Sequence, residues 1–260
     1  MVTVDNTIPI VLAAGKGTRM GLAKNKCLLD IEGKSLLEWT ILTLKKLKFP
    51  ETIIVTRSTD STVEKFIDRS KHIDVTVTPD PFFLGAGHGL FVGTTAIKNP
   101  EKYKFILCLY GDDSFLYETY TISEFLSYFS EKNAPLQIMT TKREVVGTIG
   151  GLKRDGSNQP KGFYTRKDLN KLHLTTTEIV CGAFLFNLDW LKKHFHKMVK
   201  NETGEEFLLT SLIQIAHDEK TPASVFNLPN PKEWCGVNTI DDLKRAAQLK
   251  NEQLKNEHGA

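Results

Sequence analysis

Leu12-Ala13-Ala14-Gly15-Lys16-Gly17-Thr18-Arg19-Met20 sets two glycines and an arginine directly after the apolar run Ile8 to Val11, and Lys26 follows seven residues beyond the arginine. A buried strand that runs into a glycine-rich turn and then meets cations can form a cradle for phosphates. Glycine lets the backbone curl so that N–H groups converge on anionic oxygens. Arg19 and Lys26 add the charge that a nucleoside triphosphate needs neutralised. Better-known phosphate loops do not fit. The G-x-G-x-x-G pattern matches Gly15 and Gly17 but meets Met20 at its third position, with Gly21 one residue late. Gly33-Lys34-Ser35 looks like the end of a P-loop, but Leu28 stands where that motif needs a glycine. A plain glycine-rich turn at a sheet edge is the competing reading of the same residues.

A second constellation is Ile106-Leu107-Cys108-Leu109-Tyr110-Gly111-Asp112-Asp113. The apolar strand ends in Gly-Asp, so the carboxylate emerges at the carboxyl end of the strand, where open α/β sheets bind ligands. Magnesium takes hard oxygen ligands, often one or two carboxylates plus substrate phosphates, and Asp112 suits that role. An Asp-rich turn would look similar. Near the end, Cys235-Gly236-Val237-Asn238-Thr239-Ile240-Asp241-Asp242 also reads as a helix N-terminus. Leu84-Gly85-Ala86-Gly87-His88-Gly89 is a run of small residues against which a flat base or ribose can lie; His88 is expected to be a structural hydrogen-bond donor.

The elements that must position these residues alternate. Strands are expected at Ile8–Ala13, Thr52–Thr56, Val75–Thr78, Phe105–Tyr110, Leu136–Thr141, Ile179–Asn187 and Ser224–Leu228. Helices are expected at Ser35–Leu47, Thr62–Ser70 (with Ser61 and Glu64 as a capping box), Gly87–Ile97, Ile122–Lys132, Leu188–His196, Glu206–His217 and Asp241–Asn256. Pro79-Asp80-Pro81 is expected to force a loop. Gly147–Arg154 and Gly162–Thr165 suggest a short antiparallel excursion. The pattern predicts an α/β fold with a mostly parallel, Rossmann-like sheet and helices on both faces. It predicts one domain over 1–260, with a nucleotide-binding half (1–141), an acceptor-binding half (142–240) and a C-terminal helix (241–260).

Composition sets bounds. The 260 residues are 40% hydrophobic and 25% charged, with a formal net charge of +3, which gives no case for nucleic acid. Cys27, Cys108, Cys181 and Cys235 are scattered without a C-x-x-C pair, which points to reduced thiols in the cytoplasm rather than zinc. The run Ile8 to Ala14 is too short to span a membrane, and no signal-peptide pattern opens the chain.

Strand, A-A-G-x-G-T-R-M and then a lysine resembles the signature of the nucleotide-sugar pyrophosphorylases, a nucleotidyltransferase family. The similarity is nearest to the uridylyltransferase domain of bacterial N-acetylglucosamine-1-phosphate uridylyltransferases. It covers the first 35 residues well and then isolated islands up to Leu243. The resemblance implies a GT-A-like nucleotidyltransferase fold and an Mg²⁺-dependent reaction of a nucleoside triphosphate with a sugar 1-phosphate, releasing pyrophosphate. By position it implies that Arg19 holds the β- and γ-phosphates and that Lys26 sits between the reacting phosphates. Asp112 and Asn238 carry the metal. Leu12, Ala13, Ala14, Gly15, Gly17, Thr18, Phe83, Gly85, Ala86 and Gly111 line the nucleotide. Gly147, Gly150, Glu178 and Val180 face the acceptor, although hairpin glycines would look the same.

Departures from the pattern fall on substrate-selecting positions. The family's uracil-reading glutamine is Phe83, its acceptor-binding asparagine is Val180, and its proline after Gly-Asp is Ser114. The trimerising β-helix of bifunctional members is missing after Asn256, so no acetyltransferase function is expected; a homodimer stays open. A cytidylyltransferase acting on an alditol, choline or erythritol phosphate is the nearest rival, and a non-catalytic nucleotide sensor on the same fold is the rival from another class.

Overall fold

Apolar runs such as Ile-Val-Leu and Ile-Leu-Cys-Leu cannot be solvated on either face, so they collapse into the middle of a sheet. The computed structural model describes residues 1–15, 25–70, 72, 74–145 and 150–258. Along these run β1 (Thr7–Leu12), the small hairpin β2 (Asp30–Ile31) and β3 (Lys34–Ser35), α1 (Leu36–Lys46), β4 (Thr52–Arg57), α2 (Thr62–Ser70), β5 (Val75–Asp80), α3 (Gly85–Thr95) and β6 (Phe105–Tyr110). Then follow α4 (Thr119–Ser130), β7 (Leu136–Glu144), β8 (Gly151–Arg154), β9 (Pro160–Tyr164), α5 (Arg166–Lys171), β10 (Thr176–Asn187), α6 (Leu188–His194), α7 (Ser211–Asp218), β11 (Ser224–Asn227) and α8 (Ile240–His258).

Seven strands form one sheet in the order β11-β7-β10-β6-β1-β4-β5. β6, β1, β4 and β5 run parallel, as do β7 and β11, while β10 is antiparallel to both of its neighbours. The sheet is therefore mostly parallel, as expected, and takes strands from both halves of the chain. Side chains alternate between its faces. Val11, Ile54, Leu107, Leu109 and Met139 pack under α1, α2 and α4 on one face. Ile10, Val55, Ile106, Cys108 and Phe184 pack under α3, α6 and α7 on the other. The antiparallel excursion is the β8–β9 hairpin. All four cysteines are buried and unpaired. Among the described residues no helix is long and apolar enough to cross a membrane.

Several expectations need correction. Pro79 does not end its strand: β5 continues to Asp80, because it is the sheet's edge strand and one side needs no N–H from Pro79. The helix expected from Glu206 begins only at Ser211, since the Asn201 side chain accepts the N–H groups of Glu205 and Glu206 and holds a turn there. At the start of α2, the Thr62 N–H and hydroxyl both donate to Asp60. Helix α5 was not anticipated, although Thr165 and Asp168 form the capping box that marks it.

Helix α8 packs over Phe115 and Val237 and inserts Lys250, which is 6% exposed. Its ammonium donates to the Phe115 carbonyl (3.2 Å) and lies 4.1 Å from the Trp39 ring centre. Burial pulls its pKa from 10.5 down to about 8. Below pH 8 both folded and unfolded chains hold this proton; between about 8 and 10.5 the unfolded chain binds more. Lys250 therefore makes stability rise with pH across that window. Urea denaturation on either side of it should show a shallower rise for Lys250→Met than for the native chain; equal slopes would contradict the assignment.

Candidate functional site

Glycine and asparagine shape the carboxyl ends of β1 and β6. The three carbonyls that leave β1 are each held: Leu12 accepts from the Gly111 N–H (3.0 Å), Ala13 from the Asn25 amide (2.9 Å) and Ala14 from Arg57 (2.9 Å). Gly111 is needed for this approach, because a Cβ there would sit 3.2 Å from both the Leu12 carbonyl and the Cys27 sulfur. Asn25 also accepts from the Cys27 N–H (3.0 Å) and so caps the short turn Lys26–Leu28 that aims Lys26 inward.

Lys26 is 7% exposed and carries its ammonium to the meeting point of three distant segments. It forms an ion pair with Asp112 and donates to the Asn238 amide oxygen at 3.1 Å. Asn238 reaches that point because the Asp112 carbonyl accepts from the Val237 N–H (3.3 Å). The Asp242 carboxylate accepts from the N–H groups of Asn238 (2.9 Å) and Thr239 (2.8 Å), and the Thr239 hydroxyl accepts from the Asp242 N–H (3.1 Å). Helix capping and the placement of Asn238 are thus the same local structure. Two oxygen donors converge on one cation position, which Lys26 fills here. Among the described residues no group of three or more His, Cys, Asp or Glu side chains could hold a metal. An ion placed here would need substrate oxygens as well.

Beside this cluster Asp113 is buried, with one oxygen accepting from the Trp234 indole (3.2 Å) and the other without a partner among the described residues. Burial first, and then the Asp112 charge, push its carboxyl well above the usual range. Asp113 lies against Gly182, where φ is +67° and a Cβ would come within 2.4 Å of the carboxylate.

On the β4–β5 side, the buried Asp80 accepts from the N–H groups of Phe82 (3.0 Å) and Phe83 (2.9 Å) and bonds His88 (2.8 Å). His88 is therefore a structural partner, as expected. Gly85 (φ +87°) and Ala86 open α3, which has no side-chain cap. A Cβ on Gly85 would meet the Glu206 Cβ at 2.7 Å.

On the opposite side, Glu178 accepts from Arg154 at 2.8 and 2.7 Å and from the Thr140 hydroxyl at 2.8 Å. Burial opposes its charge, but these bonds outweigh it and hold the carboxyl below the usual range. A polar cleft of about 260 Å³ lies there, lined by Thr141, Lys142, Arg154, Asn158, Glu178 and Asn227. Val180 packs against the core rather than lining that cleft, and Gly150 sits against the Phe163 ring. Gly17, Thr18, Arg19 and Gly147 lie outside the described residues. Sequence reasoning missed Asn25, Arg57, Asp80 and Arg154; each acts through a fold-dependent contact that no local pattern announces.

With this geometry the chain belongs to the MobA-like NTP transferase domain family, whose model matches residues 9–184. A bifunctional protein GlmU from Trichlorobacter lovleyi is 24% identical over 245 residues, covering 94% of this chain and 52% of the relative. The chain thus spans about half the length of such relatives. The fold is shared with the inositol-1-phosphate CTP transferase from T. maritima (TM-score 0.73, 17% identity, 96% of each chain). It is also shared with 4-diphosphocytidyl-2C-methyl-D-erythritol synthase from Anaerococcus prevotii (TM-score 0.65, 16% identity, 95% of this chain and 99% of that one).

Gly182→Ala should destabilise the chain by about 1–3 kcal/mol through backbone strain and collision with Asp113. Thermal unfolding of the variant checks this, and an unchanged midpoint would contradict the packing described.

Proposed function

We propose that the chain is an Mg²⁺-dependent nucleotidyltransferase that joins a nucleoside triphosphate to a sugar 1-phosphate or similar phosphorylated alcohol and releases pyrophosphate. The observation that carries this reading is the convergence of Lys26, Asp112 and Asn238 on one point at the carboxyl edge of β1 and β6. Family membership and the shared fold support it.

The acceptor's phosphate oxygen attacks the α-phosphorus, a new P–O bond forms, and the bond to the β-phosphate breaks with the electrons leaving on pyrophosphate. A phosphate monoester with a second pKa of about 6 is already mostly dianionic at neutral pH. No general base is required, so alignment and charge neutralisation supply the rate. Lys26 lies between the attacking and leaving phosphates, and Arg19 holds the β- and γ-phosphates. Asp112 and Asn238 would supply the two protein oxygens for Mg²⁺, which would offset the negative charge of the phosphates when bound. Leu12 to Gly15 and Gly111 form the floor under the nucleotide. The base lies toward Phe83, Gly85 and Ala86, and the acceptor toward Gly150 and Glu178. Both substrates belong to a cytoplasmic metabolite pool, and that is where we place the protein.

Lys26→Ala and Asp112→Asn should each lower pyrophosphate release by at least about 100-fold, in the range of a lost transition-state contact, in protein that still folds and unfolds cooperatively. Chelation with EDTA should stop turnover and Mg²⁺ restore it. Near-native turnover in either variant, or turnover that survives chelation, would overturn the site. Nucleotide binding with no pyrophosphate release across a broad acceptor panel would favour a sensor instead.

A further inference from the structure

Arg57 is the last residue of β4, and its register partner is Asp80, the last residue of β5. It therefore stands at the same sheet edge as Lys26 and Asp112, on the opposite side of β1 from β6. From β6 to β4 is two strand spacings, about 10 Å, which is about the reach of a nucleoside from its α-phosphate. The acceptor cleft at Glu178 lies on the far side, toward β7 and β10. That leaves the Arg57 side for the base.

The guanidinium is held from two directions. Its central carbon is 3.9 Å from the Phe83 ring centre, and one Nη donates to the Ala14 carbonyl at 2.9 Å. Phe83 is itself held in a left-handed conformation (φ +56°), which a phenylalanine rarely adopts, by the bond from its N–H to Asp80. Such strain collects at ligand clamps. Stacking fixes the plane of the guanidinium, the Asp60 carboxylate is its acidic neighbour, and among the described residues its one hydrogen bond is that to Ala14.

We propose that Arg57, stacked on Phe83, reads the base, and that it selects cytosine over uracil or thymine. This rests on the nucleotidyltransferase reading above. A planar fork of parallel donors matches an edge with two adjacent acceptors. Cytosine presents that edge with N3 and O2. Uracil and thymine carry a hydrogen on N3, so a donor would face a donor, and a polar group would be left unpaired as the site closes. A phenyl ring carries no group that can hydrogen-bond a base edge. The hydrogen-bond reading therefore passes to Arg57, a residue of a different strand.

Isothermal titration of CTP and UTP in Mg²⁺ buffer tests this with the native chain, Arg57→Gln, Arg57→Lys and Lys26→Ala. The native chain should bind CTP at least about tenfold tighter than UTP, a modest share of what a missed polar contact can cost. Arg57→Gln should remove that preference by weakening CTP and leaving UTP nearly unchanged. Arg57→Lys should not restore it, because an ammonium lacks the fork. Lys26→Ala should weaken both nucleotides by the same factor. Equal or tighter binding of UTP, TTP or a purine nucleotide by the native chain would overturn the assignment. So would an equal loss of CTP and UTP in Arg57→Gln, which would mark Arg57 as a structural brace for Ala14. If turnover with Mg²⁺ is found while the ratio ignores Arg57, only this inference fails. If no nucleoside triphosphate binds, the nucleotidyltransferase reading fails with it.

Discussion

A buried ammonium between a carboxylate and an amide oxygen is the contact around which this molecule is arranged. Lys26 comes from the segment after β1, Asp112 from the end of β6 and Asn238 from the turn before α8, so the contact closes three chain segments at once. A charge this far from water is costly without a partner, which makes the cluster sensitive to the position of every segment that feeds it. The surrounding bonds fix those segments: Gly111 to Leu12, Asn25 to Ala13 and Val237 to Asp112. The two oxygens that bind the ammonium make this a position suited to positive charge before any substrate arrives.

The sheet divides the rest of the work. β4 and β5 present Arg57, Phe83 and the Asp80-anchored loop on one side of the cluster. β7 and β10 present the Arg154–Glu178 pair and its polar cleft on the other. β10 is the strand that breaks the parallel run, and its register against β7 shifts between Val180 and Phe184. Gly182 falls within that shift and lies against Asp113. Asp113 is buried beside Asp112 with the Trp234 indole as its hydrogen-bond donor, so Asp112 is flanked by a second acidic group whose burial opposes ionisation.

Much of this was legible in the sequence because it is local. The strand at Phe105–Tyr110 ends where its apolar run meets Gly-Asp, and helix α8 starts where Thr239 and Asp242 can cap it. What escaped depends on position in the sheet. Pro79 reads as a strand breaker, yet an edge strand tolerates it. Glu206 opens an apparently helical run, yet the Asn201 side chain holds that stretch as a turn. Arg57 is one more basic residue at the end of a strand until the fold lays it on Phe83. Glu178 could be picked out as a motif residue, but its partner Arg154 is fixed only by the β8–β9 hairpin.

Electron paramagnetic resonance of Mn²⁺ in place of Mg²⁺, titrated with CTP present, addresses the cluster most directly. The account predicts bound Mn²⁺ in the native chain that is lost in Asp112→Asn and in Asn238→Ala while both variants remain folded. Equal Mn²⁺ binding in the native chain and both variants would contradict it.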